Sequence, residues 1–134
     1  MKRSLALATA AALLLVGCSS APEQEEEVET APATLGYVES IDELHDAYVN
    51  AGGVCNREER DPGQFYKESI DCADDAVLLT FATTRDRDEQ VAVYDEMTSL
   101  LGPKTLLVGD NWILNAPDAI EMQSALGGQV VELG

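Results

Sequence analysis

His45 is the only histidine in this 134-residue sequence, and Asp42 lies three residues before it. A histidine that an aspartate orients can serve as a general base when a serine lies within reach as the nucleophile. The sequence has no Gly-x-Ser-x-Gly turn that would present such a serine. We therefore predict no catalytic residue and no enzymatic activity, and we interpret His45 as a surface side chain on an acidic helix.

Acidic residues are the next candidates, because carboxylate oxygens bind Ca²⁺. Asp71, Asp74 and Asp75 form a cluster, and Asp110 and Glu121 have the first-to-twelfth spacing of an EF-hand loop. The third, fifth and sixth positions of that loop lack the required oxygen ligands and glycine. One histidine cannot complete a zinc site, and no glycine-rich phosphate loop is present. We expect no metal and no cofactor, with a weak cation site as the alternative.

Trp112 is the only tryptophan, and it follows Gly109-Asp110-Asn111, a run with hairpin-turn chemistry. An exposed tryptophan can stack on a ligand or bind a partner. Trp112, Asp110 and Asn111 are therefore a candidate binding surface. The alternative is a core ring packed beneath the helices, which the apolar residues at positions 113 and 114 favour.

Cys18 ends an apolar run that starts after two basic residues. Residues 5–16 are too few for a membrane span, which needs about 20, and they suit the apolar region of a secretory signal peptide. The run closes with Leu15-Val16-Gly17-Cys18, which resembles the lipobox of bacterial lipoproteins. The resemblance implies that residues 1–17 are cleaved and that Cys18 carries a diacylglyceryl group. The alternative is a cysteine buried in an N-terminal helix.

The two acyl chains of such a group define the expected location. Each buried methylene contributes about 0.8 kcal/mol, so one chain binds a membrane reversibly whereas two chains anchor stably. We expect the mature protein to be extracytoplasmic and anchored to the cell membrane through Cys18. Ser19 stands where an inner-membrane retention signal has aspartate, so a host with two membranes would carry the protein on the outer one.

The net charge of −17 excludes several classes of partner. Cleavage of residues 1–17 would remove two basic residues and make the charge about −19. Nucleic acid phosphates and anionic lipid headgroups are bound by clusters of Lys and Arg, which the sequence lacks. We expect no binding to nucleic acid and contact with a membrane through the lipid anchor.

Residues 18–34 are predicted to be a disordered acidic tether. Its sixteen residues after the cysteine, SSAPEQEEEVETAPAT, contain five glutamates, two prolines and a single large apolar residue, Val28. Such a segment cannot bury enough apolar surface to fold. The alternative is an acidic tail that docks a partner or binds cations.

Cys55 and Cys72 are the two cysteines that remain when Cys18 carries lipid. In an oxidising compartment two such residues usually pair, and their spacing differs from that of a Cys-x-x-Cys redox site. We predict a structural disulfide. Closing a loop of about 17 residues lowers the entropy of the unfolded chain, which stabilises the fold by roughly 3 kcal/mol.

Residues 35–134 are predicted to form one globular domain. Capping residues, helical apolar spacing and glycine stops indicate helices that begin at Ser40, near Asp86 and at Pro117. Short apolar runs indicate strands over residues 76–82, 105–108, 112–114 and 130–133. The residues expected to form the apolar stripe of the second helix are Val91, Tyr94, Met97 and Leu101. This order favours a small two-layer α+β domain, an antiparallel sheet with helices packed on one face.

The Gly-x-Asn-Trp run at residues 109–112, in a short lipoprotein with two further cysteines, resembles small uncharacterised lipoproteins of high-GC Gram-positive bacteria. The resemblance covers about the last ninety residues and implies no activity. We expect a non-enzymatic, lipid-anchored envelope protein that binds a partner or a small ligand. The alternatives are a phage- or prophage-encoded lipoprotein that excludes superinfecting phages, and an enzyme whose site has no familiar motif.

Overall fold

The computed structural model describes residues 34–73 and 75–134. In chain order its elements are α1 (Ile41–Asn50), β1 (Arg57–Arg60), β2 (Glu68–Cys72), β3 (Ala76–Thr80), α2 (Thr84–Leu101), β4 (Lys104–Val108), β5 (Trp112–Asn115), α3 (Ala119–Leu126) and β6 (Gln129–Leu133). Cys18, the predicted signal peptide and almost all of the predicted tether lie outside the described residues, as does Asp74. No helix in the described ranges is long and apolar enough to cross a membrane.

The strands form one antiparallel sheet in the order β1-β2-β3-β5-β4-β6. At its centre Leu78 of β3 pairs with Leu114 of β5, and Leu79 pairs with Ile113. Successive side chains of a strand point to opposite faces, so these two pairs lie on different faces of the sheet. Both faces of the central strands are therefore apolar, and both must be shielded from solvent by other elements of the domain.

The helices divide between the two faces. The face covered by α1 and α3, here the α1–α3 face, holds the larger buried cluster, which includes Leu44, Tyr48, Leu78, Trp112, Leu114, Met122 and Leu126. On the opposite face, here the α2 face, Leu79, Phe81, Leu106 and Ile113 are buried. Half-buried Val91 and Tyr94 of α2 pack against that second cluster.

Two of the helices begin at side-chain caps. The Ser40 hydroxyl accepts a hydrogen bond from the Glu43 amide, and the Thr83 hydroxyl accepts one from the Asp86 amide at 3.1 Å. Such bonds satisfy backbone donors that the first helical turn leaves without partners. The Asp86 carboxylate also accepts a bond from the Thr83 hydroxyl at 2.8 Å, which fixes the start of α2.

Cys55 and Cys72 form the predicted disulfide. Cys72 ends β2 and lies opposite Arg57 of β1, so the disulfide ties the segment after α1 to the sheet. The prediction of a small α+β domain, with an antiparallel sheet, helices packed on it and one disulfide, is confirmed. The sequence predicted the helices on one face of the sheet, whereas in the structure α2 packs against the second face. The structure also adds the strands β1 and β2, which the sequence did not predict.

Candidate functional site

Trp112 and Asn111, two members of the candidate binding surface, are fully buried. The Trp112 ring belongs to the cluster on the α1–α3 face, and its indole N–H donates to the Gly36 carbonyl at 2.9 Å. A buried indole and a buried amide offer no surface to a partner. These two positions are therefore corrected to core residues, the alternative considered for Trp112, and Asp110 alone of the three is exposed.

The Asn111 side chain holds three segments of the domain together. Its Oδ1 accepts from the Val38 amide at 2.8 Å, and its Nδ2 donates to the carbonyls of Val38 and Phe81 at 2.8 and 3.3 Å. The Phe81 amide in turn donates to the Asn111 carbonyl at 2.8 Å. These bonds satisfy a buried polar side chain, which explains why an amide is tolerated at this position.

Gly109 is required by the position of the Trp112 ring. A Cβ atom at residue 109 would lie 1.8 Å from Cε2 of Trp112, far inside van der Waals contact. The run from Gly109 to Trp112 therefore makes a packed turn between β4 and β5, and its residue types serve the fold.

His45 and Asp42 do not form the pair considered for catalysis. The His45 ring contacts Asp46, with Nδ1 3.1 Å from Oδ1, while Asp42 binds the Arg57 guanidinium. Both contacts lie at the outer surface of α1. The arrangement is that of charged groups on an acidic helix.

Of the three clustered aspartates considered for cation binding, the structure describes Asp71 and Asp75. Asp71 lies on β2, where its Oδ2 is 3.3 Å from Nε of Arg60, and Asp75 lies in the turn before β3 with a positive φ of 68°. Within the described ranges, no group of three or more His, Cys, Asp or Glu side chains could hold a metal ion.

Two polar side chains of β2, Ser69 and Asp71, lie on the α2 face of the sheet. Ser69 Oγ and Asp71 Oδ1 are buried and have no hydrogen-bond partner among the described residues.

Burial raises the pKa of Tyr94 above its ordinary value of 10, while a hydrogen bond with the Asn115 side chain lowers it and the charge of Tyr66 raises it further. The phenol therefore stays protonated in the folded domain at neutral pH.

Exposed apolar side chains on α2 form what we call the α2 surface, which consists of Val93, Met97, Leu100 and Leu101 together with Phe65 from the loop before β2. Leu100 is 86% exposed and Phe65 is 75% exposed, while Val93 and Met97 are about two-fifths exposed. Met97 and Leu101 belonged to the predicted buried stripe of this helix. Tyr94 and Val91 of that stripe do pack on the sheet, but Met97 and Leu101 face solvent.

A small cavity lies where the loop meets the helix. It has a volume of about 160 Å³ and is lined by Gln64 and Phe65 on one side and by Asp86, Glu89, Gln90 and Val93 on the other. Its apolar walls come from Phe65 and Val93, and its carboxylates come from Asp86 and Glu89. The α2 surface therefore combines apolar side chains with negative charge at one end.

The two arginines of α2 are engaged within the domain. Arg87 donates to the carbonyls of Gly109 and Asp110 at 2.6 and 2.7 Å. Arg85 lies 2.9 Å from Glu89, an ion pair along the helix. Glu96 makes no ion pair or side-chain hydrogen bond with any described residue, so its charge faces solvent.

The comparisons with known proteins add no relative. No family model, curated protein or solved structure matches this chain.

A signal for the α2 surface is present in the sequence. Val93, Met97 and Leu100 recur at i, i+4 and i+7, which places them on one side of a helix. The stripe that packs on the sheet, Val91 and Tyr94, uses other positions of the same helix. Together the two stripes cover more of the helix circumference than can contact one face of the sheet. Some of their apolar side chains are therefore expected to be exposed.

Proposed function

We propose that this chain is a lipid-anchored extracytoplasmic protein whose folded domain binds a partner protein, without catalysis, through the α2 surface. The observation that supports the proposal is the exposure of Phe65 and of four apolar side chains of one helix. Contiguous exposed apolar residues with a polar rim are typical of interaction sites. Covering them in a complex contributes about 25 cal/mol for each Å² removed from water.

The proposed location rests on two independent features. The sequence Leu15-Val16-Gly17-Cys18 resembles a lipobox, and the Cys55–Cys72 disulfide is of a kind that persists in oxidising compartments and is rare in the cytosol. The negative charge of the chain supports attachment by lipid, since it opposes direct binding to an anionic membrane.

Lipidation is tested by metabolic labelling with a palmitate analogue in the native host. We expect label on the wild-type protein and none on Cys18→Ser, which should accumulate as the uncleaved precursor. Ser19→Ala is the matched control, because it changes the neighbouring residue and keeps the thiol. Equal labelling of the Cys18→Ser variant would refute the anchor.

Partner binding is tested by site-specific photo-crosslinking on intact cells. A photoreactive side chain replaces Leu100 in the α2 surface or Ile120 on the outer side of α3, two exposed apolar positions in different parts of the domain. We expect a discrete crosslinked partner from position 100 and none from position 120. The same product from both positions, or none from either, would contradict binding through the α2 surface.

A further inference from the structure

The exposed apolar side chains of α2 have a defined length and direction. Val93 and Leu100 are seven residue steps apart, about 10 Å along the helix axis, and Met97 lies between them. Leu101 continues the area at the end of the helix, and Phe65 extends it sideways near Val93. A strip of apolar side chains at helical spacing can be covered by the apolar side of a second helix.

Carboxylates follow one border of this strip. Glu89 lies four residues before Val93, and Glu96 lies four residues before Leu100, so the two glutamates share an edge of the helix. Glu89 and Asp86 also line the cavity beside Phe65. The helix carries five acidic residues and two arginines, and Arg85 pairs with Glu89 while Arg87 pairs with Asp88. The charges of Asp86, Asp95 and Glu96 are therefore not offset by an arginine of this helix.

This charge pattern discriminates between the possible occupants. A second copy of the chain would place the same glutamates against one another, and like charges at short range oppose association. Anionic lipid headgroups would meet the same repulsion. A segment that carries Lys or Arg beside its apolar residues gains both the apolar burial and the attraction of opposite charges.

We propose that the α2 surface is a docking site for a basic amphipathic helix of a partner protein. Its apolar side packs on Met97, Leu100 and Phe65, and its Lys or Arg side chains lie along Glu89 and Glu96. One such side chain enters the cavity between Phe65 and Val93, with its aliphatic part against the two apolar residues and its charge near Glu89. This inference rests on the proposed function, because it names the chemistry of the partner.

The test uses the mature lipidated protein in phosphatidylcholine nanodiscs and two labelled 18-residue helical peptides, one of Leu and Lys and one of Leu and Glu. Fluorescence anisotropy reports binding, and nanodiscs without protein correct for binding to lipid. We expect the Leu/Lys peptide to bind at least about tenfold more tightly than the Leu/Glu peptide, with an affinity that falls as salt is raised. Equal binding of the two peptides would overturn the proposal.

Matched variants separate a specific site from general attraction to an acidic protein. Val93→Ser with Met97→Ser and Leu100→Ser keeps the net charge and should weaken binding about tenfold or more. Val54→Ser with Ile120→Ser removes exposed apolar residues elsewhere and should leave binding within about twofold. Glu96→Gln should weaken binding more than Glu132→Gln. Equal effects within either pair would show nonspecific binding and overturn the site.

Two further results distinguish this inference from the proposed function. A concentration-dependent dimer in sedimentation, abolished by the triple serine variant, would assign the surface to a second copy and overturn the basic partner. A partner crosslinked from position 100 through an uncharged or acidic segment would also overturn the basic partner helix, but it would support partner binding through the α2 surface. Specific peptide binding without acylation of Cys18 would support the docking site and refute the anchored protein.

Discussion

Helix α1 buries three of its ten residues against the sheet, Ile41, Leu44 and Tyr48, whereas α2 buries only Gln90 of its eighteen. The central strands beneath them carry apolar side chains on both faces, as Leu78 and Leu79 of β3 illustrate. The α1–α3 face is therefore closed by its own helices, and the α2 face is closed by a helix that leaves apolar side chains in solvent. The difference places more of the buried core on the first face, and it leaves on the second the exposed side chains that we propose for binding.

The turn from Gly109 to Trp112 supports the closed face. Trp112 packs in its cluster and Asn111 binds the chain at Val38, so residues far apart in sequence depend on this turn. The α2 surface has no comparable role, because Leu100 and Phe65 are mostly exposed. Substitutions on the two faces should therefore separate folding from binding.

The largest expected effect follows from Trp112→Ala. Loss of a fully buried ring, with its hydrogen bond to Gly36, should lower the free energy of unfolding by about 3–5 kcal/mol. Urea denaturation followed by circular dichroism measures the change. A loss below about 1 kcal/mol would show that the closed face does not depend on this ring.

The disulfide is expected to contribute slightly less. Cys55→Ser with Cys72→Ser should lower the free energy of unfolding by about 3 kcal/mol, because the unfolded chain regains the entropy of the closed loop. Measurements on the oxidised wild type and the double variant in the same urea series give the difference. Equal stabilities would indicate that packing alone holds β2 in place.

Alkaline pH should loosen the α2 face through Tyr94. Its pKa in the folded domain is raised above the unfolded value of 10, mainly by burial, so the folded state favours the protonated phenol. The stability that the folded state gains from the protonated Tyr94 phenol is complete below about pH 10. It is lost as the pH rises through the pKa of Tyr94 in the folded domain. Tyr94→Phe should therefore lose less stability than the wild type between pH 8 and pH 11.

Tyr37→Phe is the matched control for that comparison, because Tyr37 is exposed. Its urea midpoints at the two pH values should follow those of the wild type. If Tyr94→Phe and the wild type lost the same stability, ionisation of Tyr94 would not be coupled to folding.

The smallest effect on stability is expected at the α2 surface. Leu100→Ser should change the free energy of unfolding by less than about 0.5 kcal/mol, since the side chain is mostly exposed. The same variant should reduce the yield of photo-crosslinking from a neighbouring position of α2 on cells. A large loss of stability would place Leu100 in the fold and remove the contrast between the two faces.

Much of the fold could be predicted because the helices and the central strands carry local signals. Ser40 and the glycines after α1 mark its ends, and the apolar run at 76–82 marks β3, which ends at Thr80. β1 has the sequence REER and is exposed at every position, so no apolar alternation indicates a strand there. Its pairing with β2 depends on hydrogen bonds between distant residues, which single-sequence patterns do not show.

The site was harder to predict for a different physical reason. Trp112 and Asp110 were candidates for a surface, but Trp112 fits over Gly109, a contact that residue type alone does not reveal. Met97 was assigned to the core stripe of α2 because helical spacing gives relative positions on a helix. It does not give the width of the sheet face that the helix meets. The exposure of Trp112 and Met97 therefore depends on tertiary packing, which the sequence pattern does not show.

The chain enters the domain through contacts with its interior. The Leu35 amide donates to Leu126, the Gly36 carbonyl accepts from Trp112, and Val38 is bonded in both directions to Asn111. A mechanical load applied through the preceding residues would reach α3 and the β4–β5 turn directly, without first peeling away an edge strand. Force spectroscopy that pulls from the N-terminal side should therefore record one cooperative rupture of the whole domain.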